Sequence, residues 1–172
     1  MLTQPLPSEY GEAFANYISQ MPAGDLQEML AEQLEQTTKL ISNLSKEQGE
    51  YRYAPGKWSI KQVLGHIADT ERVMAYRLLR IARGDQTPLP GFDEGLFMSG
   101  STFDSMPMSE LLEDYQAVRH ATLTLLRGLT DEAALRTGTT NNMTISARAL
   151  AYTIAGHELH HLHVLKERYL GE

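Results

Sequence analysis

Apolar residues recur at helical spacing in four long stretches of this chain. Over residues 26–44, Leu26, Met29/Leu30, Gln33/Leu34, Thr37, Leu40/Ile41 and Leu44 fall on one stripe, the period of an amphipathic helix. Asp25, with Glu28 three residues on, has the spacing of a capping box at its start. The second stretch is the best signposted. Ala54-Pro55-Gly56 marks a turn, Ser59 and Gln62 form a Ser-x-x-Gln capping box, and Trp58 and Val63 stand where a hydrophobic staple would. Ile60, Val63/Leu64, Ile67, Met74, Leu78 and Ile81 follow on one face, and Gly84 lies where the helix should stop. Residues 109–129 repeat the pattern through Leu112, Tyr115, Val118, Thr122, Leu125/Leu126 and Leu129, and residues 144–169 supply a fourth helix. A short helical extension at about residues 8–20 presents Tyr10, Phe14, Tyr17 and Ile18.

No stretch reads as a strand, so the pattern predicts an all-α four-helix bundle. Residues 85–108 make a long connection between the second and third helices, containing Pro88, Pro90, Gly91, Gly95, Gly100 and Pro107. A connection of that length is functional or conceals a short helix, here around residues 94–98. It also permits a crossover, so simple up-down-up-down topology is not forced.

At 172 residues the chain has the size of one domain, 1–172. The balance of 22 acidic against 15 basic residues, net −7, repels phosphate backbones, and no run of basic residues offsets it. Nucleic acid is therefore not an expected partner. No apolar stretch approaches the eighteen or so residues of a membrane span. The absence of cysteine excludes disulfides, thiolate catalysis and cysteine-ligated zinc. The N-terminal residues show neither a basic segment nor an apolar core of a signal peptide, and the expectation is a cytoplasmic protein acting on a small molecule.

The strongest chemical signal is the run Gly156-His157-Glu158-Leu159-His160-His161-Leu162-His163, which holds four of the six histidines. His157 and His161 are four apart, so a helix puts them on one face with Cβ atoms about 6 Å apart. Two imidazoles at that separation can converge on one cation, and His66, on the flank of the second apolar stripe, is the candidate for a third ligand. His157-Glu158-Leu159-His160-His161 also matches His-Glu-x-x-His. That reading is set aside because only eleven residues follow His161, with Val164 and Glu167 where the extended metalloprotease pattern needs Gly and His. His160, His163 and His120 read as surface or partly packed residues. Glu71 falls in the middle of the second apolar stripe, where a carboxylate needs a partner, and Arg119 at the edge of the third stripe could pair with it. Asp69, three residues beyond His66, is a candidate to orient an imidazole, and Glu71 a less favoured one. Tyr51, Arg52, Tyr53, Lys57 and Trp58 read as packing under one end of the bundle.

The segment Tyr53-Ala54-Pro55-Gly56-Lys57-Trp58-Ser59-Ile60-Lys61-Gln62-Val63-Leu64-Gly65-His66, continuing to Glu71, resembles the start of the second helix in the DinB/YfiT-like superfamily. The segment from His157 to Leu170 resembles the histidine pair near the C-terminus of that superfamily. The resemblance runs over about residues 26–170. It implies a four-helix bundle whose three histidines, here His66, His157 and His161, bind a divalent cation, often nickel or zinc. It further implies a metal-dependent enzyme, with S-transfer from a low-molecular-weight thiol as the leading activity. A metal-dependent hydrolase is the alternative, and a non-enzymatic binding bundle a third. The resemblance also allows for a homodimer, a state that no sequence feature dictates.

Overall fold

The computed structural model of the protein describes residues 2–171. A short 3-10 turn leads into α1 (Glu12–Ile18), the expected N-terminal helix. The first long helix, α2 (Leu26–Ser42), is capped by Asp25, whose carboxylate accepts from the amides of Gln27 and Glu28, and it buries Leu26, Leu30, Gln33, Thr37 and Ile41. After α3 (Lys46–Glu50), α4 (Ile60–Ala82) starts at the Ser59–Gln62 capping box. Both halves of that box form, at 3.1 Å and 3.0 Å, and satisfy two amides that the first turn leaves free. The helix ends before Gly84, whose φ of +83° turns the chain away.

The long connection contains α5 (Glu94–Ser99), capped by Asp93, and a 3-10 turn at Phe103–Ser105. Then follow α6 (Met108–Arg127), α7 (Asp131–Leu135) and the last long helix, α8 (Ala147–Val164), which widens into a π-helical stretch at Leu165–Leu170. The start of the fourth helix differs from expectation. Met143–Ser146 is a strand, β2, pairing antiparallel with β1 (Thr137–Thr140). Asn141 and Asn142 join them with φ of 48° and 62°, the left-handed pair that a two-residue hairpin requires. Leu89 bridges to Thr140 and ties the long connection to this hairpin.

In the bundle, α4 packs on α6 and α8, and α2 packs on α6 and α8. Helices that follow one another as α2 to α4, and as α6 to α8, therefore lie across the diagonal instead of side by side. The core is split in two. One apolar cluster gathers Leu26, Leu30, Leu78, Ile81, Leu126 and Leu150, the other Ile41, Ile60, Leu64, Ile67, Leu111 and Leu162.

Between the apolar halves lies a buried polar layer with a residue from each long helix. Arg119 of α6, fully buried, donates from Nε to Glu71 Oε1 (3.0 Å) and Oε2 (3.2 Å) and from Nη2 to Glu71 Oε2 (2.8 Å). The same guanidinium bonds Glu158 and donates from Nη1 to the Leu30 carbonyl (3.1 Å). Thr37 and Tyr115 each donate to Glu158 Oε1 at 2.6 Å. The expected Glu71–Arg119 pair is present, with Glu158 as a second carboxylate. Burying three charged groups is tolerable only because nearly every donor and acceptor finds a partner.

Candidate metal centre

His66 comes from α4, and His157 and His161 from successive turns of α8, the helix on which α4 packs. Nε2 of His157 lies 3.1 Å from Nε2 of His66 and 3.1 Å from Nε2 of His161. All three ligand nitrogens fall within 4.8 Å of one another. Nitrogens each about 2.0–2.1 Å from one cation stand roughly 3 Å apart, so the spacing matches one edge of a coordination shell. A hydrogen-bonded cluster is a poorer account. His157 Nε2 has one proton or one lone pair to offer and faces two ring nitrogens at equal distance.

The surroundings hold the rings neutral. Burial pushes His66 down to about 4. Burial, with the neighbouring charges of His66 and His160, pushes His161 down to about 3. His157 is driven well below its ordinary value, by burial first and then by His161, His66 and His160. Neutral imidazole is the form that binds a cation. The three histidines present convergent, unprotonated donors, and the residues fit a divalent metal that accepts imidazole ligands.

Two aromatic rings pack on this cluster. Trp58 lies with its ring centroid 4.8 Å from that of His66, and Tyr17 of α1 packs edge-on against His157 at 5.4 Å and His160 at 5.8 Å. The approach of α1 depends on Gly156. A Cβ at that position would stand 2.1 Å from the Tyr17 carbonyl oxygen, so α1 can rest on α8 only where the side chain is missing. Tyr17 is half-buried, and burial followed by the charge of Glu94 raises its hydroxyl above the ordinary value.

Of the other sequence candidates, Asp69 lies 3.5 Å from Arg72 and lines a closed space beside His66 with Thr70, Glu94 and Phe103. Burial raises its carboxyl against the opposing pull of Arg72. Glu71 belongs to the polar layer with Arg119. Glu158 also faces that layer, bound by Arg119, Thr37 and Tyr115, so the His-Glu-x-x-His pattern does not present its glutamate as a metalloprotease base would. His120 and His163 are exposed, and His160 is half-buried against Tyr17 and His161. On the His161 side the site opens into a cavity of about 410 Å³ lined by Tyr53, Lys57, Trp58, His160, Arg168 and Tyr169, among others. Tyr53, Lys57 and Trp58 of the basic-aromatic cluster before α4 therefore border the histidines instead of merely closing the bundle, whereas Tyr51 and Arg52 lie outside this cavity. The contribution of Tyr17 carried no sequence signal beyond an isolated glycine in the middle of a helix.

Comparison with known proteins agrees with the fold. The solved structure of YfiT from Bacillus subtilis, provisionally assigned as a metal-dependent hydrolase with an unusual four-helix bundle topology, superposes with a TM-score of 0.74. It is 21% identical, and the match covers 83% of this chain and 82% of that one. A DinB-like protein of the same organism, YjoA, superposes with a TM-score of 0.61 at 20% identity, over 86% of this chain and 91% of the other. At such identities these likenesses speak for the fold, a four-helix bundle of the DinB/YfiT type. A protein of Oceanobacillus iheyensis, provisionally named a metal-dependent hydrolase, is 27% identical over 128 residues, 73% of each chain. The sequence profile of the DinB superfamily matches residues 29–165, most of the chain. The chain belongs to the DinB superfamily.

Proposed function

We propose that this protein is a divalent-metal-dependent hydrolase whose cation is held by His66, His157 and His161. The observation that carries the reading is the convergence of neutral ring nitrogens from buried His66 and His157 and half-buried His161, with His157 3.1 Å from each of the other two. Three neutral ligands leave a divalent cation its full charge and an open position, the pattern of a catalytic site. Bound there, it would supply Lewis acidity toward water or a thiol. The names of the Oceanobacillus and YfiT relatives favour water.

The chain's own residues do the rest. Trp58 and Tyr17 cover two sides of the cluster and restrict solvent. The raised Tyr17 hydroxyl keeps its proton at neutral pH and can donate a hydrogen bond from Oη. Asp69, its carboxyl raised by burial, is placed near His66 to take up a proton. S-transfer from a low-molecular-weight thiol, the finer reading implied by the family resemblance, would use the same three nitrogens with a thiol in place of water.

The test is metal content of the purified, untagged protein beside His157→Ala/His161→Ala. The expected result is about one equivalent of zinc or nickel in the wild type and none in the variant, with helicity retained in both. The loaded wild type should then hydrolyse activated esters or amides at a rate that the variant and the chelated protein lack. Rate that appears only with added thiol, with the thiol in the product, would select S-transfer. Metal binding with neither activity would leave a binding bundle, and no metal after reconstitution would overturn the proposal.

A further inference from the structure

The cavity beside His161 has a chemistry of its own. Three aromatic side chains wall it: Tyr53, Trp58 and Tyr169. Tyr53 and Tyr169 meet edge-on at 4.9 Å, and Tyr169 donates from its hydroxyl to the Trp58 carbonyl at 2.7 Å. These rings are fixed to one another, and a fixed apolar wall suits a flat ligand. Two cations complete the lining: Lys57 Nζ lies 5.9 Å and the Arg168 guanidinium carbon 5.6 Å from the Tyr53 ring centroid. Arg168 and Tyr169 reach the cavity from the π-helical end of α8, a helical irregularity that often marks a functional site.

The cavity lining contains no carboxylate. Among the described residues, Lys57 and Arg168 have no carboxylate within ion-pair distance, whereas the nearby Arg52 is joined to Asp104 at 2.5 Å. In a chain of net charge −7, two cations left over at the mouth of the histidine site are against the trend of the surface. A volume of about 410 Å³ is that of a small-metabolite pocket.

We infer that this cavity is the substrate pocket and that it selects small organic anions with a flat apolar body, the anionic group lying between Lys57 and Arg168 and the reacting group toward His161. The inference rests on the proposed metal site for the direction of the reacting group, but not for the preference for an anion. The aromatic walls take the body of the ligand, and the two cations choose between a carboxylate and its neutral isostere.

Binding to metal-free protein separates the two ideas. Benzoate and benzamide share shape and ring and differ in charge, and chelated protein removes any direct bond from carboxylate to metal. By NMR titration at low salt, benzoate should bind about tenfold more tightly than benzamide, the scale of two partly exposed ion pairs. The preference should shrink as salt is raised. It should vanish in Lys57→Gln/Arg168→Gln, whose exposed positions leave the fold intact, and reverse in Lys57→Glu/Arg168→Glu. Equal affinities in the wild type, no detectable binding of either compound, or a preference that survives in the double variants would overturn the inference. Failure of the protein to take up zinc or nickel would sink the proposed function and leave this anion preference standing.

Discussion

Replacing Arg119 with methionine should be among the most damaging single changes in the bundle. The side chain is fully buried, and its guanidinium spans two carboxylates, Glu71 and Glu158, and the Leu30 carbonyl. With it, the layer carries one positive and two negative charges; without it, two buried carboxylates face each other with only Thr37 and Tyr115 donating to one of them. Breaking a buried ion pair by deleting one partner costs about 3–5 kcal/mol. Total stabilities are about 5–15 kcal/mol, so about a fifth or more of the stability is at stake. The assay is urea unfolding of the metal-free protein, with Arg72→Met as a control. Arg72 pairs with Asp114 at the surface, at 2.8 Å, and its loss should cost no more than about 1 kcal/mol. Removing the charges together, Arg119→Met with Glu71→Gln and Glu158→Gln, should recover most of the loss. If Arg119→Met unfolds no more easily than Arg72→Met, the polar layer is not the mutually dependent unit described above.

Acid should weaken the metal-free protein in two separate windows. A histidine held near 4 in the folded protein and near 6.5 in the unfolded chain binds more protons when unfolded, so stability falls as pH drops from about 6.5 toward 4. By pH 5 the loss is about 2 kcal/mol for His66, and His66→Leu should remove that share of the fall in urea midpoint between pH 7 and 5, leaving the shares of His157 and His161. Glu9 behaves separately: its hydrogen bonds with Arg148 lower its carboxyl to about 2, so its contribution is present above about 4.5 and is lost as pH falls toward 2. Solvent screening holds that contribution to about 1 kcal/mol, and Glu9→Gln should remove it without altering the window near pH 6. Gly156→Ala should lift α1 from α8 at a cost of about 1–3 kcal/mol. Hydrogen exchange would then rise across Glu12–Ile18, and unchanged exchange there would contradict the close-approach argument.

The amphipathic helices were readable because each shows one face to water. The stripe of α2 matches its buried residues almost position for position, every residue of the α4 stripe is buried although that helix buries flanking positions such as His66, Thr70 and Arg77 as well, and the Ser59–Gln62 box marks the start of α4 to the residue. Glu71 announced a buried partner by interrupting an apolar stripe, which is why Arg119 could be paired with it from the chain alone. Glu158 gave no such sign. From Ala149 to Glu158 α8 is buried on every side, so no polar face exists against which a buried carboxylate would stand out. The hairpin went unread because four-residue strands barely establish a period, although Asn141-Asn142 was a turn signal between them. The packing of Tyr17 on His157 depends on a tertiary approach over 140 residues of chain, which no local pattern encodes.

The polar layer also acts as a vernier for the histidines. Glu71 lies five residues after His66 on α4, and Glu158 directly follows His157 on α8. Sliding either helix by one turn, about 5.4 Å, would strand charges in the apolar halves above or below. The height at which His66 meets His157 and His161 is thus set by residues that do not touch the site. Ligands could be exchanged for another metal's preference while the two helices stay aligned, whereas an apolar replacement of the layer would free the helices to settle at a different height and disperse the three nitrogens.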